Sequence, residues 1–416
     1  MSYRRGQKYV LVLVGLPARG KSYTSRRLAR YLRWQGYPTR VFNVGERRRT
    51  ALGGRQPASF FDPQNAAGRE ALQAIAAASL EDLVAWLAGE GRIAILDATN
   101  STRARRRWVQ ERCLAMGFEV YFLELVNDDP EVIEQNVRAT KLGSPDYAGS
   151  DPALAAADFR QRIAHYASRY EPVGDDEGAY IKLIDRMRKI QTNRIDGHIP
   201  ARIVFFLLNL QLSERQVFLT RHGQSLDNLA DRIGGDSSLS PAGHAYARAL
   251  AQHLEERLGP GAPLHVWSSA LRRTFESAAP LGREVRQWRS LNEIQAGVCD
   301  GWTYQEIRER MPAEYEGRQR DKLRYRYPRG ESYEDVISRL DKVLVEIERH
   351  REPVLVIGHQ AVLRALYAYF VELPPERIPY VEVPLHTLIV LTPRAYDCIE
   401  QRIALPPFLG RRESSD

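Results

Sequence analysis

Two α/β domains are what this sequence predicts, and three observations carry the expectation. The chain has 416 residues, and at roughly 100–200 residues per domain that length favours two. Apolar runs of strand length alternate with helical stretches through both halves, the pattern of a sheet covered by helices on both faces. In each half, polar side chains suited to phosphate stand at the ends of those apolar runs, where the crevice of an open α/β sheet lies. The boundary is expected within "NLQLSERQ", which gives domains of residues 1–212 and 213–416.

The elements follow in order. "YVLVLVG" reads as a strand buried on both faces, and the stretch from Ser22 to Gln35 as a helix closed by Gly36. "TRVFNV" is the next strand, and "LQAIAAASLEDLVAWLAGEG" a long helix ending at Gly89 or Gly91. "RIAILDATN" and "EVYFLELV" are strands, and "DFRQRIAHYASRY" is helical. "AYIKLID" and "ARIVFFLLNL" are read as the last strands of this half; Ile203–Leu208 has strand length and stops at Asn209. A second series begins near Gln216, with strands "VFLTR", "LHVWSS" and "PVLVIGH" and helices over Leu239–Leu258, Leu271–Leu281, Ser332–Arg349 and Ala361–Phe370. "HTLIVLTP" and "CIEQRI" supply late strands, and "ALPPFLGRRESSD" is expected to fray.

Composition narrows the classes. No stretch approaches the ~18 consecutive apolar residues of a membrane span, and "MSYRRGQKYV" lacks an apolar signal core, so a cytoplasmic protein is expected. Cys113, Cys299 and Cys398 lie far apart without metal-ligand spacing, which argues against a disulfide framework or zinc. The net charge of +8 is compatible with nucleic acid, a membrane surface or small anions. The basic clusters Arg47–Arg49, Arg103–Arg107 and Arg320–Gly330 each stand beside an expected active-site loop, which favours anionic small substrates over nucleic acid or membrane.

"GLPARGKS" runs Gly15, Leu16, Pro17, Ala18, Arg19, Gly20, Lys21, Ser22 and satisfies G-x-x-x-x-G-K-[ST] between a buried strand and a helix. That context is what a phosphate-binding loop requires. Its N–H groups and the helix N-terminus would wrap the phosphates of a nucleotide. Lys21 would pair with the β- and γ-phosphates, and Ser22 would ligate Mg²⁺. Asp97, ending the strand in "AILDATN", is the candidate second oxygen on the metal. Arg48, Arg49 and Arg105, expected on loops after strand ends, could grip a phosphate already on the acceptor.

"TRHG" gains weight from three companions downstream: Arg273 in "SSALRRT", Glu293 in "SLNEIQAGVCDG" and His359 in "VLVIGHQAV". Strand ends on one sheet edge converge, so these groups read as a covalent phosphotransfer site. His222 would attack phosphorus with an unprotonated ring nitrogen while Arg221, Arg273 and, if it is protonated, His359 neutralise the phosphoryl oxygens. Glu293 would protonate the leaving sugar oxygen, then activate water. In "RDKLRYRYPRGESYED", Lys322 and Arg326 suit a second phosphate and Tyr333 the sugar, although cations interleaved with tyrosines can also stack RNA bases.

With "GLPARGKS", "FNVGE", "DATN", "KLGSPDY", "LTRHG", "RIGGDSSLS", "LNEIQAGVCDG", "YRYPRGESYED", "GHQAVLR" and "PLHT" together, the chain resembles the bifunctional 6-phosphofructo-2-kinase/fructose-2,6-bisphosphatase family from about Tyr9 to Ile403. The resemblance implies an N-terminal P-loop kinase domain with a parallel sheet. It also implies a C-terminal histidine-phosphatase, phosphoglycerate-mutase-like α/β domain, and a homodimer. The implied substrates are ATP with Mg²⁺, fructose 6-phosphate and fructose 2,6-bisphosphate. By motif position, Arg48, Arg49, Thr99, Arg105, Lys141, Arg162 and Tyr166 would hold the kinase's sugar phosphate. Asn228, Tyr304, Arg318, Lys322, Arg326, Tyr333, Gln360 and Arg364 would hold the bisphosphate.

There are departures from the family pattern. Gln224 stands where Arg-His-Gly-Glu is usual, which would change the polarity of the pocket rim. Asn127 replaces a common cysteine, Leu72 aligns with an arginine of animal members, and Asp62 replaces another; Arg69 is one helical turn away. Phosphorylation control through long tails like those of many animal members is not expected. The competing readings are one active half, a different sugar phosphate, or a non-catalytic sensor of phosphorylated metabolites. A sensor needs neither a nucleophile nor an acid, so Lys21, Asp97, His222 and Glu293 together favour the enzyme.

Overall fold

The structure, a computed structural model, describes residues 6–138, 146–147, 149–185, 188–211, 214–394 and 397–408; Lys141 lies outside them. Two compact units divide the chain, Met1–Leu208 and Asn209–Asp416.

The first unit runs β1 (Tyr9–Val14), α1 (Lys21–Trp34), β2 (Thr39–Asn43), α2 (Val44–Leu52), α3 (Ala66–Ala88), β3 (Ile93–Asp97), α4 (Arg103–Leu114), β4 (Glu119–Val126), α5 (Pro130–Asn136), α6 (Pro152–Ala167), β5 (Tyr180–Ile184), β6 (Lys189–Asn193) and α7 (His198–Asn209). The sheet order is β2-β3-β1-β4-β5-β6, parallel except for β6, which runs antiparallel to β5. The five parallel strands run the same way, so the loops after Val14, Asn43 and Asp97 open on one edge.

Three readings of this half change. "ARIVFFLLNL" belongs to helix α7, not to a strand. Its buried residues Ile199, Ile203, Phe206 and Leu207 recur at helical spacing, and Phe205 and Leu208 are exposed. The Phe206 ring stacks on Tyr31 at 4.2 Å. Arg48 and Arg49 sit on α2 and Arg105 on α4, rather than on loops. Asn43 caps α2 through Glu46 N at 2.8 Å, and Thr102 caps α4 through Arg105 N at 3.2 Å, so each helix starts almost at its strand end. Finally, α3 is by length and composition apolar enough to cross a membrane. Here its Leu80, Leu83, Val84 and Leu87 pack into the core with Val10, Val12 and Leu96. Burying each such large side chain contributes about 1.5–3 kcal/mol.

The second unit runs β7 (Val217–Arg221), α8 (Leu226–Leu229), α9 (Pro241–Leu258), β8 (His265–Ser268), α10 (Arg272–Ala278), β9 (Val285–Gln287), α11 (Tyr304–Arg310), α12 (Pro312–Arg320), α13 (Tyr333–Arg349), β10 (Val354–Gly358), α14 (Gln360–Phe370), β11 (Thr387–Pro393) and β12 (Cys398–Ala404). The sheet order is β12-β11-β7-β10-β8-β9. Arg221 pairs with Gly358 across parallel strands β7 and β10, so His222 and His359 leave the sheet side by side. The terminal segment does not fray at once. Leu405 is buried and donates its N–H to His386 O at 2.9 Å, and Pro407 O lies 2.8 Å from His386 Nδ1.

Candidate active sites

In the first unit the loop after β1 turns where only glycine fits. Gly15 has φ +136°, and a Cβ there would meet Leu125 O at 2.6 Å. Gly15 N donates to Thr99 O at 3.0 Å, which ties the loop to the turn after β3. Gly20, also left-handed, opens α1. Lys21 is buried, its Nζ donating to Gly15 O at 2.7 Å and Leu16 O at 2.6 Å, so its charge lies inside the curl of the loop. Asp97 is buried at the end of β3 and accepts from Asn43 Nδ2 at 2.6 Å. Asn43 thus orients the carboxylate and caps α2, a double role that its single letter in "FNVGE" did not reveal.

A guanidinium cluster lies in the same unit. Arg48 Nη2 donates to both oxygens of Asp146, at 2.7 and 2.6 Å, and Arg162 Nη1 reaches Asp146 at 3.4 Å. Arg49 is 3.8 Å from the same carboxylate. The Arg162 guanidinium lies over Phe61 at 3.7 Å, and the Phe61 ring is 6.1 Å from Tyr166. Burial draws the Arg48 and Arg105 pKa values down from the usual arginine range. Arg48 Nε and Nη1, Arg105 Nη1 and Arg162 Nε are buried with no hydrogen-bond partner among the described residues. Buried N–H groups of this kind cost stability unless something accepts from them, and a phosphate would. Asp146, which gathers three arginines, was not singled out from the sequence. Arg69 is exposed and donates to Pro63 O at 2.6 Å instead.

In the second unit His222 Nδ1 lies 2.7 Å from Gly223 O, so Nδ1 carries the proton and Nε2 the lone pair. Arg273 Nε–H points at that lone pair from 3.1 Å. The His222 and His359 ring centroids are 5.1 Å apart. Gly223 lets the loop approach α9: a Cβ there would meet Gly243 O at 2.4 Å. His222, Arg221, Arg273 and Glu293 line one cavity with Asn228, Tyr304, Arg318, Lys322, Tyr333, Gln360 and Arg364. Arg318 Nη2 donates to Tyr304 OH at 3.0 Å and Arg364 Nη1 to Tyr333 OH at 3.0 Å, fixing both rings. Arg232, Gly234 and Glu331 line the same cavity and were not singled out from the sequence.

The structure bears on three further readings. Arg326 is exposed and pairs with Asp335 at 2.9 Å; it is not among the residues lining the cavity. Gln224 does not alter the rim: its Oε1 accepts from Ser240 Oγ at 3.0 Å at the start of α9. His359 is held toward its neutral form. Burial, then His222, Arg273 and Arg221, push its pKa well below the usual range. Its Nε2 lies 2.8 Å from Ser269 Oγ, and its Nδ1 is buried without a partner among the described residues. The ring therefore offers a hydrogen bond, not a charge.

Burial and the charges of Arg273 and Arg221 also hold His222 well below its usual range. The unfolded chain takes up a proton at each ring near pH 6.5, and the folded chain refuses it. The stability this gives is complete above that pH and is lost as pH falls, by about 1.4 kcal/mol per histidine per pH unit until the folded pKa is reached. Denaturant unfolding of the second unit should therefore move to lower midpoint between pH 7 and pH 5.5. His222→Asn should show a smaller shift than wild type over the same range.

A strand-bound phosphate loop in one unit and a histidine flanked by arginines in the other define a P-loop phosphotransferase joined to a histidine phosphatase. Residues 1–214 match the family described as 6-phosphofructo-2-kinase, and residues 217–404 the histidine phosphatase superfamily, branch 1. The chain belongs to the 6-phosphofructo-2-kinase/fructose-2,6-bisphosphatase family, two-domain enzymes of fructose 2,6-bisphosphate synthesis and hydrolysis. It is 51% identical over 386 residues to the Arabidopsis thaliana 6-phosphofructo-2-kinase/fructose-2,6-bisphosphatase, a match covering 91% of this chain and 51% of that one. The chain thus spans about half the length of the plant relative. The Gallus gallus protein of the same name is 46% identical over 400 residues, covering 95% of this chain and 84% of its own. The Homo sapiens 6-phosphofructo-2-kinase/fructose-2,6-bisphosphatase 4 is 45% identical over 400 residues, covering 95% and 85%.

Proposed function

We propose that residues 1–212 transfer the γ-phosphoryl of ATP to the 2-hydroxyl of fructose 6-phosphate, and that residues 213–416 return the product to fructose 6-phosphate through a phosphohistidine. In the kinase, phosphoryl transfer asks for positioning and charge neutralisation more than for a strong base. The loop from Gly15 to Ser22 cradles the nucleotide phosphates, and Lys21 moves from its loop carbonyls to the β- and γ-oxygens. Arg48, Arg49, Arg105, Arg162 and Tyr166 hold the 6-phosphate, with Thr99 at the turn beside it. The unpartnered N–H groups of Arg48, Arg105 and Arg162 support that assignment.

Ser22 and Asp97 offer a hydroxyl and a carboxylate oxygen. Hard donors in that small number suit Mg²⁺, which takes its other ligands from phosphates and water. When bound there it would neutralise charge on the β- and γ-phosphates.

In the phosphatase, His222 Nε2 attacks the 2-phosphorus and the bond from phosphorus to the sugar oxygen breaks. Glu293 gives its proton to that oxygen. Arg221, Arg273 and His359 donate to the phosphoryl oxygens, while Arg318, Lys322, Arg364 and Tyr333 bind the rest of the sugar bisphosphate. Water then attacks the phosphohistidine, Glu293 taking its proton, and inorganic phosphate leaves. The observation that carries this reading is the unprotonated Nε2 of His222, accepting from Arg273 Nε at 3.1 Å in a cavity shared with Glu293.

The reading includes a homodimer and a cytoplasmic location; three free thiols support the latter. The test follows γ-labelled ATP with Mg²⁺ and fructose 6-phosphate. Label should pass into sugar, then into an acid-labile, base-stable protein adduct, then into phosphate. Phosphate released with no labelled sugar at any time would overturn it.

A further inference from the structure

The Glu293 carboxyl makes one hydrogen bond among the described residues, from Ile294 N to Oε1 at 2.9 Å. Its placement therefore depends on the loop that carries it. That loop is gripped by a pair of side chains to which the reaction gives no role. Arg339, on α13, donates Nε to Glu331 Oε1 at 2.9 Å and Nη2 to Glu331 Oε2 at 3.1 Å, a bidentate pair. The same guanidinium donates to Ser290 O, to Asn292 O at 2.7 Å and to Glu293 O at 3.3 Å. Glu331 closes the other side. Its Oε2 accepts from Gln295 N at 3.1 Å, and its own N–H donates to Gln295 O at 2.9 Å.

The backbone is thus held on both flanks of residue 293, by the cation before it and by the carboxylate after it. The pair sits mostly out of solvent, with side-chain exposures of 20% and 18%, where charge-assisted hydrogen bonds are stronger than at an open surface. Its support is rigid. Ser332 and Asp335 form a capping box at the start of α13, and Val336, Leu340 and Val343 are fully buried. Glu331 also lines the cavity, so the pair reaches from the helix to the edge of the site.

We propose that the Arg339–Glu331 pair is a positioning device that sets the Glu293 carboxyl against the leaving sugar oxygen. The inference rests on the reading of Glu293 as the acid. A carboxyl that swings by about 1 Å can lose about a hundredfold in rate, and an acid matters only where the leaving group needs a proton. A sugar alkoxide needs one, and p-nitrophenolate does not.

The test compares single-turnover phosphohistidine formation from fructose 2,6-bisphosphate and from p-nitrophenyl phosphate in wild type, Arg339→Lys, Glu331→Gln and Glu293→Gln. The two positioning variants should lose about 10- to 100-fold with the bisphosphate, at little change in KM, and keep most of their rate with the aryl phosphate. Glu293→Gln should show the same split, more strongly. Equal loss with both substrates, or no loss with either, in Arg339→Lys and Glu331→Gln overturns the positioning role while the acid stands. A Glu293→Gln variant that treats both substrates alike removes the acid, and the inference with it. Glu331→Gln is nearly isosteric and decides the matter alone where Arg339→Lys does not melt like wild type.

Discussion

Replacing His222 with alanine should abolish the labelled protein adduct and lower bisphosphatase turnover by about four orders of magnitude or more. Removing a covalent nucleophile typically leaves only the residual catalysis of the surrounding donors. Four decades correspond to about 5.5 kcal/mol at roughly 1.4 kcal/mol per decade. The structure gives the reason for so large an effect. His222 Nε2 is the ring nitrogen left without a proton, since Nδ1 lies 2.7 Å from Gly223 O. Burial, Arg273 and Arg221 keep it unprotonated. His359, 5.1 Å away by ring centroid, is also held neutral but has Nε2 against Ser269 Oγ, so it is not free to replace the nucleophile. With ATP and fructose 6-phosphate supplied, the variant should accumulate labelled sugar bisphosphate. Phosphate release at the wild-type rate would rule out the covalent route.

Lys21→Met should lower kinase kcat/KM by about 10²- to 10³-fold, the usual cost of removing one donor from developing phosphoryl charge. The Nζ lies on Gly15 O and Leu16 O, already within the curl that would enclose the phosphates. Methionine keeps the length of the side chain and removes the charge, so α1 and the loop should survive. Initial-rate assays of sugar bisphosphate formation measure the loss, and a thermal melt like that of wild type reports that the first unit is folded. A kinase rate within a few-fold of wild type would remove the lysine from the phosphate path.

Much of the frame was legible because strand ends announce themselves. Apolar runs that stop at Gly15, Asp97, Arg221 and Gly358 are short, bounded and rich in β-branched residues, and each was read as a strand. The same criterion misread Ile203–Leu208. A run of six apolar residues has no visible period, and the helical spacing appears only when Ile199 is counted with Ile203 and Phe206. Arg48, Arg49 and Arg105 were read as loop residues because they follow closely on strand ends. The Asn43 and Thr102 caps were the overlooked signal that helices begin there.

Sequence alone determined the chemistry available: a glycine-rich loop with Lys21, a carboxylate at Asp97, and His222 with Arg221, Arg273, Glu293 and His359 at strand and loop ends. Residue type and spacing suffice for that, because backbone N–H groups, guanidinium forks and imidazole lone pairs are local properties. Tertiary structure decided which of these groups meet and in what state. It turned Arg326 and Gln224 away from the cavity, left His359 neutral, drew three arginines onto Asp146, and clamped the Glu293 loop between Arg339 and Glu331. Protonation and orientation depend on burial and on partners distant in sequence, and only the folded chain supplies those.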